Sequence, residues 1–294
     1  MSLNNLVESD RGTCLNQLGK ATDAQLWDNF LEGQAKLFFD QEFIWITKEI
    51  WWQEAKNVLE IGSGNGAYLY RLSRQSQDKI FKGIEKLSQL VKQANEHYAG
   101  AHLVFQERDA EIFDYQLVGS ADIVLFRLTL QHLKDPVAAL KNAAEYLPSN
   151  GYILIIDSCD RAKRTSHPIP AIDEALQLVA EVQKKAGKGN RAVTLELLQT
   201  LEAKTSPLSE FFEVISSNLD IHGNIISDSI RFEGKQNRML YFNHSLLFLN
   251  LLHRTYHIPI DLNRAYTELQ SYLNDENAWT SPGMHFLVLK KRSK

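Results

Sequence analysis

Residues 58–72 read VLEIGSGNGAYLYRL and contain three glycines at alternate positions, Gly62, Gly64 and Gly66. The apolar residues before the glycines predict a short buried strand, and the spacing of those after them predicts a helix. Glycine permits positive φ and close approach of a ligand to the backbone, and free N–H groups at a helix start face such a ligand. The stretch therefore predicts a cradle for a nucleotide-like cofactor.

Two classes of cofactor use a turn of this kind. Gly62, Gly64 and Ala67 satisfy the G-x-G-x-x-G/A fingerprint of dinucleotide-binding proteins. Residues 60–66, EIGSGNG, also fit the turn that binds adenosylmethionine, which has an acid, one residue and three alternating glycines. A carboxylate suits a cationic, amine-bearing ligand better than a pyrophosphate. The acid therefore favours adenosylmethionine and leaves a dinucleotide open.

The composition is that of a globular protein with one large domain, or one domain with a cap. The chain has 294 residues, 44% hydrophobic and 23% charged, and a net charge of −4, which gives no general attraction to nucleic acid. Cys14 and Cys159 are the only cysteines, so a disulfide scaffold and a cysteine-rich zinc site are excluded, and a reducing cytoplasm is expected. We expect no signal peptide and no membrane span, and we predict no metal.

The pattern along the chain changes twice. Residues 1–50 read as helical. From residue 57 strands and helices alternate, which is typical of a doubly wound parallel sheet, and residues 161–283 then read as mostly helical. The predicted strands are 58–61, 79–84, 103–106, 122–126 and 152–157, with a terminal strand at 284–290 and a weak one near 220–226. The predicted helices are 87–98, 136–146, 172–184, 192–203, 242–255 and 263–273.

Polar residues stand where the predicted strands end, which is the edge at which such sheets bind ligands: Glu60, Glu85, Asp109, Arg127 (the first residue after the fourth strand) and Asp157. Glu85 is placed to accept hydrogen bonds from both hydroxyls of a ribose, in either type of cofactor. Asp109 can accept from an exocyclic amine while the N–H of Ala110 donates to a ring nitrogen. Together these two residues predict adenine recognition.

Five segments in order resemble the motifs of class I S-adenosylmethionine-dependent methyltransferases, and are most similar to the bacterial type that acts on small molecules. They are EIGSGNG at 60–66, GIEKLSQLVKQA at 83–94, ERDAE at 107–111, DIVLFRLTLQHLKDP at 122–136 and GYILIIDSCD at 151–160. The resemblance covers residues 56–160 and the terminal strand. It implies methyl transfer from S-adenosyl-L-methionine, with S-adenosyl-L-homocysteine as the product, to a small-molecule acceptor.

The same resemblance implies an α/β, Rossmann-like sheet of seven strands in the order 3-2-1-4-5-7-6, with the last strand antiparallel. It also implies a division into a helical cap at 1–50, the methyltransferase core at 51–226, a helical lid at 227–283, and the terminal strand with its tail at 284–294. The lid favours an enclosed small acceptor over a polymer.

Carried over by position, the resemblance assigns these residues to the cofactor: Glu60, Gly62, Ser63, Gly64, Gly66, Glu85, Lys86, Asp109, Ala110, Arg127, Gln131 and His132. The glycines and Glu60 would contact the methionine portion, Lys86 would flank the adenine, and Arg127 would act mainly through its backbone. Gln131 and His132 would face the methyl donor or support the loop. No catalytic base is chosen among His132, Asp157, His222, His244, His253 and His257.

Absent motifs argue against several subclasses. The segment after the fourth strand, FRLTLQH, lacks the Pro-Pro-aromatic run of nucleic-acid amino methylation, and no cysteine follows a proline as pyrimidine C5 chemistry requires. Arg127 stands where metal-dependent catechol-type enzymes carry acidic ligands. Two alternatives remain: an NAD(P)-dependent oxidoreductase, although the chain has no Tyr-x-x-x-Lys, and a non-catalytic cofactor-binding scaffold. Oligomeric state does not follow from the sequence.

Overall fold

A computed structural model describes residues 6–187, 189–227 and 229–293. Over its described residues the chain divides into two compact units. The larger unit comprises Gln41–Lys163, Lys188–Ile230 and Pro282–Lys294, and the smaller comprises Met1–Asp40, Arg164–Gly187 and Arg231–Ser281. Of the segment predicted to be helical at 1–50, residues 1–5 lie outside the described residues.

A seven-stranded sheet forms the centre of the larger unit. Its strands are β1 (Asn57–Ile61), β2 (Ile80–Glu85), β3 (Leu103–Glu107), β4 (Ile123–Arg127), β5 (Tyr152–Ser158), β7 (Phe212–Ser217) and β9 (Met284–Lys291). They lie in the order β3-β2-β1-β4-β5-β9-β7, with β1 to β5 parallel and β9 antiparallel to both neighbours. Counted within this sheet, the order is the predicted 3-2-1-4-5-7-6 with an antiparallel last strand, so the predicted fold is confirmed.

Helices cover the sheet of the larger unit, and the strands between them are correspondingly apolar. These helices are α3 (Ile50–Glu54), α4 (Ala67–Gln75), α5 (Ser88–Tyr98), α6 (Pro136–Tyr146) and α8 (Val193–Glu202). Every residue of β4 is buried, because a central parallel strand is covered on both faces. The Asp135 carboxylate accepts the N–H of Ala138 at 2.9 Å and Pro136 occupies the first turn, so local capping fixes the start of α6.

The smaller unit is mainly helical. It contains α1 (Arg11–Lys20), most of α2 (Asp23–Thr47), α7 (Pro170–Ala186), α9 (Gly234–Tyr256) and α10 (Leu262–Asn274), with the short pair β6 (Arg164–Thr165) and β8 (Thr280–Ser281). Residues 41–47 of α2 belong to the larger unit. Among the described helices, none combines the length and the apolar character that crossing a bilayer requires.

The prediction of a strand near residues 220–226 is wrong. The strand that enters the large sheet between β5 and β9 in chain order is β7, which lies earlier in the sequence. The Asp220 carboxylate accepts the N–H groups of His222 and Asn224, both at 2.8 Å, and this bonding forms a turn with a single bridge between Leu219 and Ile225. β7 lies at the edge of the sheet. Only two of its positions differ in burial from the others, so it lacks the alternation of buried and exposed side chains that identifies a strand from sequence.

Candidate functional site

The glycine turn connects β1 to α4, and its conformation requires glycine. Gly62, Gly64 and Gly66 have φ values of +76°, +57° and +82°, in the left-handed region that side chains disfavour. A Cβ on Gly62 would lie 2.5 Å from the Thr129 hydroxyl oxygen, and one on Gly66 would lie 2.7 Å from the Phe105 ring. The three glycines are therefore fixed by backbone strain, and two of them also by packing.

The backbone amides of this turn bind the end of β2. The N–H groups of Gly62 and Ser63 donate to the Ile84 carbonyl at 2.8 and 3.0 Å, and the N–H of Gly64 donates to Glu85 Oε2 at 3.1 Å. These three amides are therefore engaged within the protein. The N–H groups expected to be free at the helix start are also engaged at Gly66 and Ala67, which donate to the Ser63 carbonyl at 3.0 Å and to Asn65 Oδ1 at 3.3 Å. A pyrophosphate needs such donors, so the geometry disfavours a dinucleotide.

Glu85 ends β2 beside the glycine turn. Its second oxygen, Oε1, accepts the N–H of Leu87 at 3.0 Å, so the two backbone bonds hold the carboxylate in one orientation. Each carboxylate oxygen has a further acceptor site. The side chain is thus positioned and still able to accept from two ligand hydroxyls.

Asp109 lies beyond β3 and contacts the residue that follows Glu85. Lys86 Nζ is 2.7 Å from Asp109 Oδ2, and the N–H of Glu111 donates to Oδ1 at 3.0 Å. The hydrogen bond from Lys86 and the one from the Glu111 backbone lower the pKa of Asp109, so the residue is a carboxylate at neutral pH. The Ala110 carbonyl accepts the Asn142 side-chain amide at 3.2 Å, and no hydrogen bond found within the described ranges uses the Ala110 N–H.

A surface cavity of about 460 Å³ opens at this position. Lys86 and Asp109 line it together with the apolar side chains of Ile112 and Phe113. A cavity of about 510 Å³ elsewhere in the larger unit is bordered by Glu202 and by other charged side chains, and none of the predicted site residues lines it. The cavity beside Lys86 and Asp109 has the mixture of apolar surface and polar groups expected of a small-molecule site.

Glu60 is a buried acid at the carboxyl end of β1. It is 2% exposed, and its Oε2 has no hydrogen-bond partner in the described part of the chain. Burial raises the pKa of Glu60 to about 8, against the opposing effect of the Arg127 charge. Ser63 Oγ is likewise buried without a partner. A Cβ on Gly83 would lie 2.7 Å from that oxygen, so the strand beside Glu60 also requires glycine. These orphaned polar atoms fit a polar ligand at the turn.

Arg127 is the last residue of β4, which runs one residue further than predicted. Its Nε and Nη2 donate to Glu42 at 2.7 and 3.3 Å, and its guanidinium lies 4.0 Å from the centre of the Tyr68 ring. Glu42 is fully buried in the last turns of α2, and sequence reasoning did not find it or Tyr68 as part of the site. No local motif marks Glu42, which lies far from Arg127 along the chain.

Gln131 lies within a buried polar network. Its Oε1 accepts the Ser158 hydroxyl at 2.6 Å and Arg191 Nη1 at 3.0 Å, and its N–H donates to Asp157 at 3.2 Å. Arg191 also makes two 2.8 Å bonds to the Asp160 carboxylate. Because Gln131 Oε1 and the Gln131 backbone N–H both bind protein groups, these contacts support the loops after β4 and β5.

His132 follows Gln131 and is solvent-exposed. Although solvent reaches it, the surrounding protein desolvates the ring and, with the positive charge of Arg191, lowers the pKa of His132 to about 4. The ring is therefore neutral at neutral pH. It can accept a hydrogen bond, and it is a weaker base than an ordinary histidine.

The other predicted candidates for a base have structural contacts. Asp157 is buried, and its two oxygens accept the N–H groups of Ser158 and Gln131 at 2.8 and 3.2 Å. His244 stacks on Phe30 with ring centres 4.8 Å apart, in the smaller unit. The remaining histidines lie in a turn or near the end of α9: His222, His253 and His257. Within the described residues, no three His, Cys, Asp or Glu side chains are grouped to hold a metal ion.

A family model described as a methyltransferase domain matches residues 53–212, more than half of the chain. Among solved structures, the plantazolicin methyltransferase BpumL, in complex with a monoazolic desmethylPZN analog and SAH, aligns with a TM-score of 0.50 at 17% identity, covering 92% of this chain and 90% of that one. The YcgJ protein from Bacillus subtilis aligns with a TM-score of 0.47 at 14% identity, covering 87% and 99%. At these identities the likeness concerns the fold alone. No curated protein matches this chain.

Proposed function

Because this chain belongs to the class I S-adenosylmethionine-dependent methyltransferases, we propose that it transfers a methyl group from S-adenosyl-L-methionine to a small organic acceptor. One observation supports this proposal most: the turn places Glu60, a buried carboxyl whose Oε2 has no hydrogen-bond partner among the described residues, beside glycines whose amides are engaged with Ile84 and Glu85. Such a turn fits an amine-bearing ligand, and the amides of Gly62, Ser63 and Gly64 are not free to donate to a pyrophosphate.

The cofactor site that we propose has three parts. Glu60, Ser63 and the turn glycines would hold the amino-acid portion, since they combine orphaned polar atoms with the absence of side chains. Glu85 would accept from the ribose hydroxyls. Asp109 and the Ala110 N–H would bind the adenine edge, with Lys86 beside it. The full set is Glu60, Gly62, Ser63, Gly64, Gly66, Glu85, Lys86, Asp109, Ala110, Arg127, Gln131 and His132.

In methyl transfer the protein's main task is to position the acceptor against the methyl group. Adenosylmethionine supplies, when bound, a methyl group on a positively charged sulfur, which is already reactive toward a nucleophile. The protein then has to orient the acceptor in line with that methyl group and exclude water. A base is required only where the acceptor must first lose a proton. We assign no residue to that role, because His132 is weakly basic and Asp157 is bonded to the backbone.

The acceptor is proposed to be small because residues 227–283, which contain α9 and α10, interrupt the core sequence between β7 and β9. We propose that this insertion acts as a lid and that residues 1–50 act as a cap, with the core at 51–226 and 284–294. An enclosed acceptor excludes nucleic acid and membranes as substrates. Cys14 and Cys159 are free and buried, which supports a cytoplasmic location.

Removal of the adenine or ribose contacts is expected to weaken cofactor binding. Asp109→Ala and Glu85→Ala each delete a charged acceptor, and the loss should be about tenfold to hundredfold in the dissociation constant for adenosylhomocysteine. Asp78→Ala is the matched control, since Asp78 is an exposed acid beside the opposite end of β2, paired with Lys56. Isothermal titration calorimetry measures all three. Equal affinities in the three variants would argue against the assigned positions.

The acceptor class is tested by supplying methyl-labelled adenosylmethionine with a bacterial metabolite extract, and separately with total RNA and total protein. We expect label in a compound of low molecular mass, and much less label with the Asp109→Ala variant at a cofactor concentration below its dissociation constant. Label confined to RNA or protein would contradict a small acceptor while leaving methyl transfer intact.

A further inference from the structure

A cluster of four buried polar side chains lies beside the glycine turn in the larger unit. Glu42 and Glu60 are 0% and 2% exposed, and the Arg127 side chain is 5% exposed. Arg127 donates twice to Glu42 and lies over the Tyr68 ring. The cluster joins the end of α2, the ends of β1 and β4, and the first turn of α4.

The charges of this cluster do not balance if both acids are ionised. Arg127 is the cation of the group, and its guanidinium is bonded to Glu42, so Glu60 faces a cation that is already paired. The Glu60 atom Oε2 is buried and has no hydrogen-bond partner among the described residues. A buried, unpaired carboxylate is unfavourable, and the group lowers this cost by binding a proton.

Each charged neighbour acts on Glu60 in a known direction. Burial is the largest cause that raises the pKa of Glu60, to about 8; Arg127 lowers it, and the negative charges of Glu42 and Glu85 raise it further. Tyr68, whose own pKa is raised by burial, is neutral. Glu60 is therefore protonated at neutral pH, and the Glu42–Arg127 pair together with Glu60 has no net charge.

We propose that the ammonium group of the cofactor binds in exchange for the proton of Glu60, and that Glu42 is a positioning residue which, by engaging Arg127, keeps Glu60 protonated until then. The O–H bond of the Glu60 carboxyl breaks, its electron pair stays on the carboxylate, and the proton passes to solvent. This inference rests on the proposed function, because it concerns the amino-acid portion of adenosylmethionine.

The exchange predicts a specific pH dependence. Below the pH at which free Glu60 ionises, cofactor binding releases a proton, so affinity rises with pH and levels off at about pH 8. Removing the Glu42 charge leaves Arg127 available to Glu60, and Glu60 then ionises at lower pH. In Glu42→Gln the pH at which the affinity levels off should fall by about one unit, and fewer protons should be released per ligand bound at pH 7.

The experiment is calorimetry of adenosylhomocysteine binding to the full chain, from pH 6 to 9, in two buffers of different ionisation enthalpy. The dependence of the heat on buffer counts the protons released. We expect about one proton for the wild-type chain at pH 7 and none from this site in Glu60→Gln. The free ligand carries the same amine in both titrations, so a difference in proton release between the two proteins reports the presence of the Glu60 carboxyl.

One control ligand and two control variants isolate the ammonium group and the Glu42 charge. The compound 5′-methylthioadenosine has the adenosine part and lacks the amino acid, so its binding should release no proton. Asp78→Asn removes an exposed acid outside the cluster and should keep the wild-type profile. Glu42→Asp keeps the charge but shortens its reach to Arg127, so its pH profile of binding should shift in the same direction as that of Glu42→Gln and by less. This variant decides the role of Glu42 if Glu42→Gln does not fold.

Equal proton release by the wild-type chain and Glu60→Gln would overturn the exchange. Unshifted profiles in the Glu42 variants would overturn the role of Glu42. Adenosylhomocysteine binding without proton release would leave the proposed function standing and this inference rejected. No binding of adenosylhomocysteine to the wild-type chain would reject both, so the two failures are distinguishable.

Discussion

The Gly62→Ala variant is expected to lose about 3 kcal/mol of folding stability and all measurable cofactor binding. Two effects add at this position. Alanine at a φ of +76° is strained, and its Cβ would lie 2.5 Å from Thr129 Oγ1 and 2.6 Å from Thr129 Cγ2. The Thr129 hydroxyl is itself bonded to the carbonyls of Ile61 and Arg127, so the side chain cannot move without breaking these bonds.

Gly33→Ala is the matched control for this variant. Gly33 lies within α2 and a Cβ there would meet nothing within 4 Å, so alanine should stabilise the helix by about 0.5–1 kcal/mol. Chemical denaturation of both variants measures the free energy of unfolding, and calorimetry measures ligand binding. Equal stabilities for Gly62→Ala and the wild-type chain would contradict the described turn.

The Glu60→Gln variant is expected to be more stable than the wild-type chain and to bind the cofactor worse. The pKa of Glu60 is raised from 4.5 to about 8 in the folded chain, so the stability it contributes is complete below about pH 4.5 and is lost as pH rises to about 8. Glutamine does not titrate, so the stability difference should grow over this range, to roughly 3 kcal/mol at pH 7. Stability and function therefore oppose each other at this residue.

Asp157→Asn tests whether the gain in folding stability predicted for Glu60→Gln is specific to a buried acid without hydrogen-bond partners. Asp157 is also buried, but its two oxygens accept backbone N–H groups, and an amide keeps only one of these acceptors. Burial also raises the pKa of Asp157, to about 6, against these hydrogen bonds. At pH 7 the lost hydrogen bond therefore offsets the relief of the buried charge, and this variant should gain no stability over the wild-type chain. Thermal unfolding followed over pH 4 to 9 gives both comparisons, and a Glu60→Gln variant that is less stable than the wild-type chain at pH 7 would contradict the burial of an unpaired acid.

Local sequence patterns predicted the sheet because they follow directly from its physics. Central strands such as β4 are buried on both faces and therefore read as continuous apolar runs, and a strained turn restricts its residues to glycine. The predicted strand order followed from the resemblance to a known family. β7 was missed because it lies at an edge, contains a bulge between Val214 and Ser216, and has little alternation in burial.

The charge cluster could not be predicted in the same way. Glu42 meets Arg127 only through the fold, and a glutamate in an apolar helix has no local signal that it will be buried. Likewise, the motif left two roles open for Gln131, facing the methyl donor or supporting the loop, and the bonds of its side chain to Ser158 and Arg191 could not be read from the motif. Contacts between distant segments depend on tertiary packing, which neither periodicity nor motif spacing encodes.

The most direct test of the central claim is calorimetry of the full chain with adenosylmethionine, adenosylhomocysteine, NAD and NADP under identical conditions. The turn geometry and the family predict binding of the first two, with dissociation constants in the micromolar range, and no binding of the nicotinamide cofactors. Binding of NAD or NADP in place of the adenosyl compounds would contradict the account, because the amides of Gly62, Ser63 and Gly64 are bonded to protein acceptors.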